Sequence, residues 1–150
     1  MIVNRTGLLK AAPIKDMLDH KVQGGLTSYG LVEAGYDIRI KQAVTLTEKK
    51  RFSLASAIET FDMPTHLVGI VHDKSTWARQ GLSVFNTVIE PKFIGGLTLE
   101  LVYHGEGELV IPAGCGIAQV IFHLLTEEAS YNGRYQNQSS DPEPSRFQNL

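Results

Sequence analysis

From residue 35 onward the chain is built of short runs in which apolar and polar residues alternate, separated by turn residues. In Gly35-Tyr36-Asp37-Ile38-Arg39-Ile40 the alternation puts Tyr36, Ile38 and Ile40 on one face and Asp37, Arg39 and Lys41 on the other, as the two-residue period of a strand requires. Further strands are predicted over 51–57, 67–71, 82–87, 97–103, 107–111 and 117–125. At least seven short strands result, the pattern of a mostly β domain. One early segment reads as a helix instead: Pro13 in its first turn, Ile14, Met17, Leu18 and Val22 at three- to four-residue spacing, and Gly24-Gly25 to end it. Residues 126–150 hold Ser, Asn, Gln, Asp, Pro, two Tyr and two Arg, with almost no aliphatic residue before Leu150. They form a tail without a core of its own, mobile unless docked. No repeat or composition shift marks a second domain, so 1–150 reads as one.

Composition narrows the functional classes. A chain of 150 residues with 43% apolar and 20% charged residues can bury the core of one globular domain. Fourteen basic against sixteen acidic residues leave a net charge of −2, so no overall field would draw the protein to nucleic acid or an anionic membrane. Any bound anion must be held locally. Cys115 is the single cysteine, which excludes an intrachain disulfide and a cysteine-based zinc cluster within one chain. The N-terminal residues lack the apolar stretch of a secretion signal, and no apolar run approaches the ~18 residues of a membrane span. The expected compartment is the cytoplasm.

Several segments carry chemistry-bearing residues. His72-Asp73-Lys74-Ser75-Thr76-Trp77-Ala78-Arg79-Gln80-Gly81 follows a strand and reads as one helical turn closed by Gly81, with Asp73 or Ser75 as its cap. Such a turn is either an ordinary surface turn or an anion cradle of backbone N–H groups, two hydroxyls and a cation. It is not a Walker A loop, because Asp73 stands where that motif has glycine before the lysine. In the strand 97–103, Leu97, Leu99, Leu101 and Tyr103 face one way and Thr98, Glu100 and Val102 the other. Periodicity alone favours a solvated face for Glu100; in a pocket, desolvation would raise its pKa and make it a proton shuttle near neutral pH. Glu90 lies in a tight turn containing Pro91, Gly95 and Gly96 and could add a second carboxylate. The five histidines show no His-x-x-x-His pair, and the combination of His-x-Glu with Pro-Cys-x-x-Cys used by zinc-dependent nucleobase deaminases is beyond a chain with one cysteine. Cys115, between two glycines, reads as a small core or turn residue rather than a nucleophile. In the tail, Tyr131, Arg134, Gln138 and Arg146 combine rings, guanidinium groups and an amide that could close over a nucleotide.

Taken in order, these segments resemble the dCTP deaminase branch of the dUTPase-like superfamily, from about Gly35 to Arg146. The resemblance rests on residues 28–39 (Ser-Tyr-Gly-Leu, then Ala-Gly-Tyr-Asp-Ile-Arg), 73–82 (Asp-Lys-Ser-Thr-Trp-Ala-Arg-Gln-Gly-Leu), 89–101 (Ile-Glu-Pro-Lys-Phe-Ile-Gly-Gly-Leu-Thr-Leu-Glu-Leu), 116–122 (Gly-Ile-Ala-Gln-Val-Ile-Phe) and 131–138 (Tyr-Asn-Gly-Arg-Tyr-Gln-Asn-Gln). Five such segments in register are specific where any one is weak.

The resemblance implies a β-clip, jelly-roll-like subunit of a homotrimer with sites at subunit interfaces. It implies zinc-independent hydrolysis of dCTP to dUTP and ammonia, feeding dUMP and dTTP synthesis. Glu100 would activate the attacking water, Ser75 would hold that water or the intermediate, and Arg79 would anchor the site beside the glutamate. Lys74, Ser75 and Thr76 would cradle phosphates, with Trp77 and Ala78 completing the loop. Thr98 and Leu99 would meet the base through backbone groups, Glu90 would lie near the deoxyribose, and Tyr131, Arg134 and Gln138 would grip the triphosphate. Mg2+ would arrive on the nucleotide rather than in a protein cage. The departure at Asp73-Lys74, where the family commonly has Gly-Arg, exchanges a bidentate guanidinium for a point charge. The rival expectations are a dUTPase or a bifunctional enzyme yielding dUMP and pyrophosphate, and a non-catalytic nucleotide-binding trimer.

Overall fold

A computed structural model describes residues 1–147; residues 148–150, the end of the predicted tail, lie outside the described residues. The chain begins with β1 (Ile2–Val3), α1 (Arg5–Ala11), β2 (Lys21–Val22), β3 (Tyr29–Leu31), β4 (Tyr36–Arg39) and β5 (Val44–Thr47). It continues with β6 (Phe52–Asp62), β7 (Leu67–Asp73), α2 (Ser75–Ala78), β8 (Leu82–Val84) and β9 (Val88–Ile89). The last strands are β10 (Ile94–Tyr103), β11 (Glu108–Ile111) and β12 (Gly116–Leu124). One large sheet runs β2-β3-β4-β12-β7-β9, with β1 also pairing β12. A three-stranded sheet has the order β6-β10-β8, and β11 pairs β5. Pairing is antiparallel throughout these ladders. No helix among the described residues is long and apolar enough to cross a membrane.

The predicted period-two faces are the ones that pack. Tyr36, Ile38 and Ile40 are buried to 1% exposure or less, as are Leu99 and Leu101 of β10. Phe61, Val120 and Phe122 add large apolar groups to the same core. β6 is longer than the predicted 51–57 because its inward face continues Ala55, Ala57, Glu59, Phe61. Glu59 is tolerated there because its carboxylate accepts the backbone N–H and the side-chain Nε–H of Arg39, both at 2.8 Å. Removing Arg39 would leave that buried carboxylate unmatched.

The N-terminal helix is not where the spacing puts it. Residues 13–15 are extended and pair with β6: Ile14 bridges Phe61, Lys15 N–H donates to Thr60 O at 2.9 Å and Asp62 N–H to Pro13 O at 2.9 Å. Asp16 has a positive φ of 53°, which a helix does not accommodate, and Leu18 N–H donates to the Tyr36 hydroxyl at 3.2 Å. Ile14 and Met17 pack by docking a strand-like segment on the core, so tertiary pairing overrides the helical spacing. The actual helix, α1, buries only Leu8 completely and contains Gly7, so it presents no apolar stripe to read. It ends at Ala12, whose left-handed φ of 48° lets its N–H return to Leu8 O.

The tail is docked along β10. Asn137 N–H donates to Ile94 O and Gly96 N–H to Gln138 O, both at 2.9 Å, and Gly95 bridges Gln138 in parallel. The Ser56 hydroxyl donates to Ser140 O at 2.9 Å, and Lys41 Nζ lies 2.8 Å from Asp141. A Cβ on Gly96 would stand 2.1 Å from Ser139 O, and Gly95 has a φ of +144°. Absence of side chains at these two positions is therefore what lets the tail lie on the strand. Gly96→Val should lift residues 136–146 off β10, read as loss of amide-exchange protection and faster proteolysis in the tail. Protection of β12 should stay as in the unsubstituted protein.

Candidate active site

β10 places Glu100 on the outward face of the three-stranded sheet, directly across from Leu54 of β6. The inward leucines on either side, Leu99 and Leu101, are in the core, so the strand cannot rotate Glu100 away without expelling them. Its backbone carbonyl accepts Phe85 N–H at 3.1 Å. The side chain lines a cavity of about 700 Å³ whose walls include Phe52, Leu54, Val88, Phe93 and Leu97. Oε2 of Glu100 is buried there without a hydrogen-bond partner. Burial pushes its carboxyl pKa up, with a backbone hydrogen bond pulling partly the other way. The solvated face that periodicity favours for Glu100 is thus replaced by a pocket, because loop 85–90 and the tail rise on both sides of the strand.

Five of the predicted site residues meet in this cavity: Glu90, Thr98, Glu100, Tyr131 and Gln138. Glu90 is exposed at the rim, where its carbonyl accepts Phe93 N–H at 3.1 Å and closes the turn. Thr98 is buried, and its hydroxyl accepts Glu143 N–H at 3.1 Å and an amide N–H of Gln138. Tyr131 is set by its N–H to Pro91 O at 2.8 Å and by an edge-to-face contact with Phe93 at 6.2 Å. Its hydroxyl accepts Tyr135 N–H at 3.1 Å. Leu99 turns its side chain into the core, leaving only backbone on this strand for a ligand. Arg134 is exposed over Phe147 at 5.8 Å and does not line the cavity. Sequence reasoning did not mark Thr87, Tyr135 or Glu143, which also line it. Glu143 is held below the usual carboxylate range by Ser139 N–H and then by Arg146. Its signal was faint: a single acid between two prolines in a polar tail.

The remaining predicted residues sit together elsewhere, on the turn around α2. Its N-cap is Lys74, with no side-chain cap; Asp73, an expected cap, instead accepts Val84 N–H at 2.7 Å. Gly81 closes the turn with a φ of +86° and an N–H to Ala78 O at 3.0 Å. The Trp77 ring is buried in the core and donates to Gly116 O at 2.8 Å, so only its backbone can face a ligand. The Lys74 ammonium is in contact with the buried carboxylate of Asp37. Ser75, Thr76, Ala78 and Arg79 are exposed. None of residues 74–79 lines the cavity that holds Glu100.

Two further features lie outside the cavity. Cys115 is buried, its thiol 3.1 Å from Pro112 O and its pKa pushed up by burial, as befits a small core residue. The single His-x-Glu sequence, His104-Gly105-Glu106, lies in the exposed turn after β10, with His104 Nε2 3.1 Å from the Ser83 hydroxyl, outside the cavity.

Comparison with known proteins identifies the family. Residues 37–125 match the family described as dCTP deaminase-like. A dCTP deaminase of Roseiflexus castenholzii is 32% identical over 159 residues, spanning 84% of this chain and 86% of the relative. The crystal structure of the 2'-deoxycytidine 5'-triphosphate deaminase from Agrobacterium tumefaciens superposes with a TM-score of 0.63 at 15% identity, over 82% of this chain and 48% of that one. A mutant dUTPase from phage phi11 of S. aureus, in a structure concerned with a structural Mg(II) ion, gives a TM-score of 0.57 at 16% identity, over 71% and 87% of the two chains. With its mostly β, dUTPase-type fold and this match over more than half its length, the chain belongs to the dCTP deaminase-like family.

Proposed function

We propose that the protein hydrolyses dCTP to dUTP and ammonia, with Glu100 as the base. The observation that carries this reading is the buried, unpartnered Oε2 of Glu100 in an apolar cavity. A carboxylate with a raised pKa is a stronger base than one in water and a competent acid once protonated. Glu100 takes a proton from a water as its oxygen bonds to C4 of cytosine, and that proton goes to the ring nitrogen. The carboxylate then takes the proton of the new C4 hydroxyl and hands it to the exocyclic amine; C4=O forms as the C–N bond breaks, and ammonia departs. The carboxylate, rather than a zinc-bound hydroxide, does the base work in this reading. Phe52, Leu54 and Val88 limit the water around the base.

Charge supports a site shared between subunits. The charged side chains lining the cavity are Glu90, Glu100 and Glu143, all acidic. A triphosphate beside three carboxylates needs cations close by. Arg146 beside the cavity is already paired with Glu143, whereas Arg79 is exposed with the hydroxyls of Ser75 and Thr76 on a turn outside the cavity. That turn, brought in from a neighbouring copy, would supply a cation and two neutral donors, which favours a homotrimer with interface sites. Among the described residues no three His, Cys, Asp or Glu side chains are grouped to hold a metal. Mg2+ would come in on the phosphates with most of its water retained, and Glu90, exposed at the cavity rim, is the acid that would accept from such a water. Bound there, the ion would neutralise phosphate charge. In this reading the product dUTP feeds dUMP and dTTP synthesis, and the expected compartment is the cytoplasm.

Incubation with dCTP and Mg2+ should yield ammonia and dUTP in equal amounts. Ammonia with dUMP and pyrophosphate would assign a bifunctional enzyme, pyrophosphate from dUTP alone a dUTPase, and binding without products a nucleotide-binding trimer. Glu100→Gln should lower kcat by roughly 10²–10⁴-fold while leaving nucleotide affinity within a few-fold.

The same substitution tests the desolvation. A carboxyl whose folded pKa is raised contributes stability below its unfolded pKa and loses that contribution as pH rises through the folded value. Glu100→Gln should therefore raise the thermal midpoint at pH 8, and the gain should shrink toward zero as pH falls below the ordinary glutamate range. An equal gain at both ends would contradict a buried, titrating carboxylate.

A further inference from the structure

The residues around α2 divide into those that hold the turn and those that are free. Asp73 accepts Val84 N–H, Trp77 donates to Gly116 O, and Lys74 Nζ contacts Asp37 Oδ2, with the Ser28 hydroxyl 3.4 Å away. Ser75, Thr76 and Arg79 are exposed, and Arg79 has no ion-pair partner among the described residues. Asp37 is 3% exposed on β4, between Gly30 of β3 and Gln119 of β12. The Lys74 side chain is 14% exposed. Its carbonyl receives the N–H groups of Trp77 at 2.9 Å and Ala78 at 3.0 Å, the first bonds of the turn.

We infer that Lys74 is a positioning residue, not a phosphate ligand: its ion pair with Asp37 fixes the turn that presents Ser75 and Arg79. The inference rests on the deaminase reading of the site. The Lys74 side chain is 14% exposed and its ammonium is engaged with Asp37 and near Ser28, so making a phosphate its main partner would draw it from a carboxylate that would then be buried without one. A phosphate drawn to Lys74 would also approach that carboxylate and be repelled by it. The pair is better placed to hold backbone. It ties residue 74, where β7 gives way to α2, to β4, while Trp77 ties the next turn to Gly116. Gly116 O also accepts the Thr27 hydroxyl at 2.6 Å, and a Cβ on Gly116 would stand 2.0 Å from Ser28 O. The strand start, segment 27–28 and the turn are packed as one block, and the lysine closes its polar side. The cation offered to a triphosphate from this turn is then Arg79.

The test uses the full-length protein with Asp37→Asn, Lys74→Met, Lys74→Arg and the double variant Asp37→Asn/Lys74→Met. Trp77 is the only tryptophan, so its emission and its quenching by acrylamide report the turn without any substrate. Asp37→Asn and Lys74→Met should each red-shift the emission, raise quenching, and lower kcat/KM for dCTP by on the order of 10- to 100-fold through displaced catalytic groups. Lys74→Arg should restore most of both. The double variant, which buries no unpaired charge, should cost no more than either single change and remains measurable if Lys74→Met does not fold. A tighter dCTP affinity in Asp37→Asn, or weakened binding in Lys74→Met with Trp77 emission unchanged, would overturn the inference in favour of a direct phosphate contact. Wild-type protein that does not turn over dCTP would count against the deaminase reading, and the emission series would still decide the role of the pair.

Discussion

One oxygen of Glu100, sealed from water and bonded to nothing, is the constraint around which this chain is arranged. Desolvating a carboxylate disfavours its charged form, and no hydrogen bond within the chain offsets that cost at Oε2. The fold sustains it because the same strand sends Leu97, Leu99, Leu101 and Tyr103 into the core. A one-residue slip of β10 would relieve the carboxylate but expose that whole row. The cost is thus held by register, and what it leaves is a carboxyl whose pKa burial pushes up, the group the proposed reaction uses as its base.

The surroundings follow from that placement. The acidic cavity and the turn bearing Arg79 are separate features of one chain, each incomplete for a triphosphate. In the proposed trimer the two halves meet across an interface, so assembly and site formation are one event. The tail belongs to the cavity half: Thr98, two residues before Glu100, accepts from Gln138 and Glu143, tying the tail to the strand that carries Glu100. In this form Gln138 spends its amide on Thr98, so gripping a phosphate would require it to exchange that bond.

Much of the sheet was legible because a two-residue period survives wherever one face is buried. Tyr36, Ile38 and Ile40, and the row of β10, are the clearest cases. The pattern failed where polar groups go inside or where distant pairing decides. Glu59 on the inner face of β6 broke the apolar alternation and hid half of that strand, since its partner Arg39 lies twenty residues away. Ile14, Met17 and Leu18 carry helical spacing but dock as an extended segment against Phe61 and Tyr36. The cavity group of site residues was named from the family resemblance, whereas periodicity alone would have left Glu100 in solvent. That Lys74 is committed to Asp37, and that Trp77 turns inward, depends on contacts across 37 and 39 positions that no local pattern carries.

The most direct test of the account is the crystal structure of the Glu100→Gln protein with dCTP and Mg2+. The account predicts the cytosine ring in the cavity with its C4 amino edge against the side chain at position 100, and the phosphates beside Ser75 and Arg79 of a neighbouring subunit. A pyrimidine bound outside that cavity, or a position-100 side chain turned to bulk water, would contradict it.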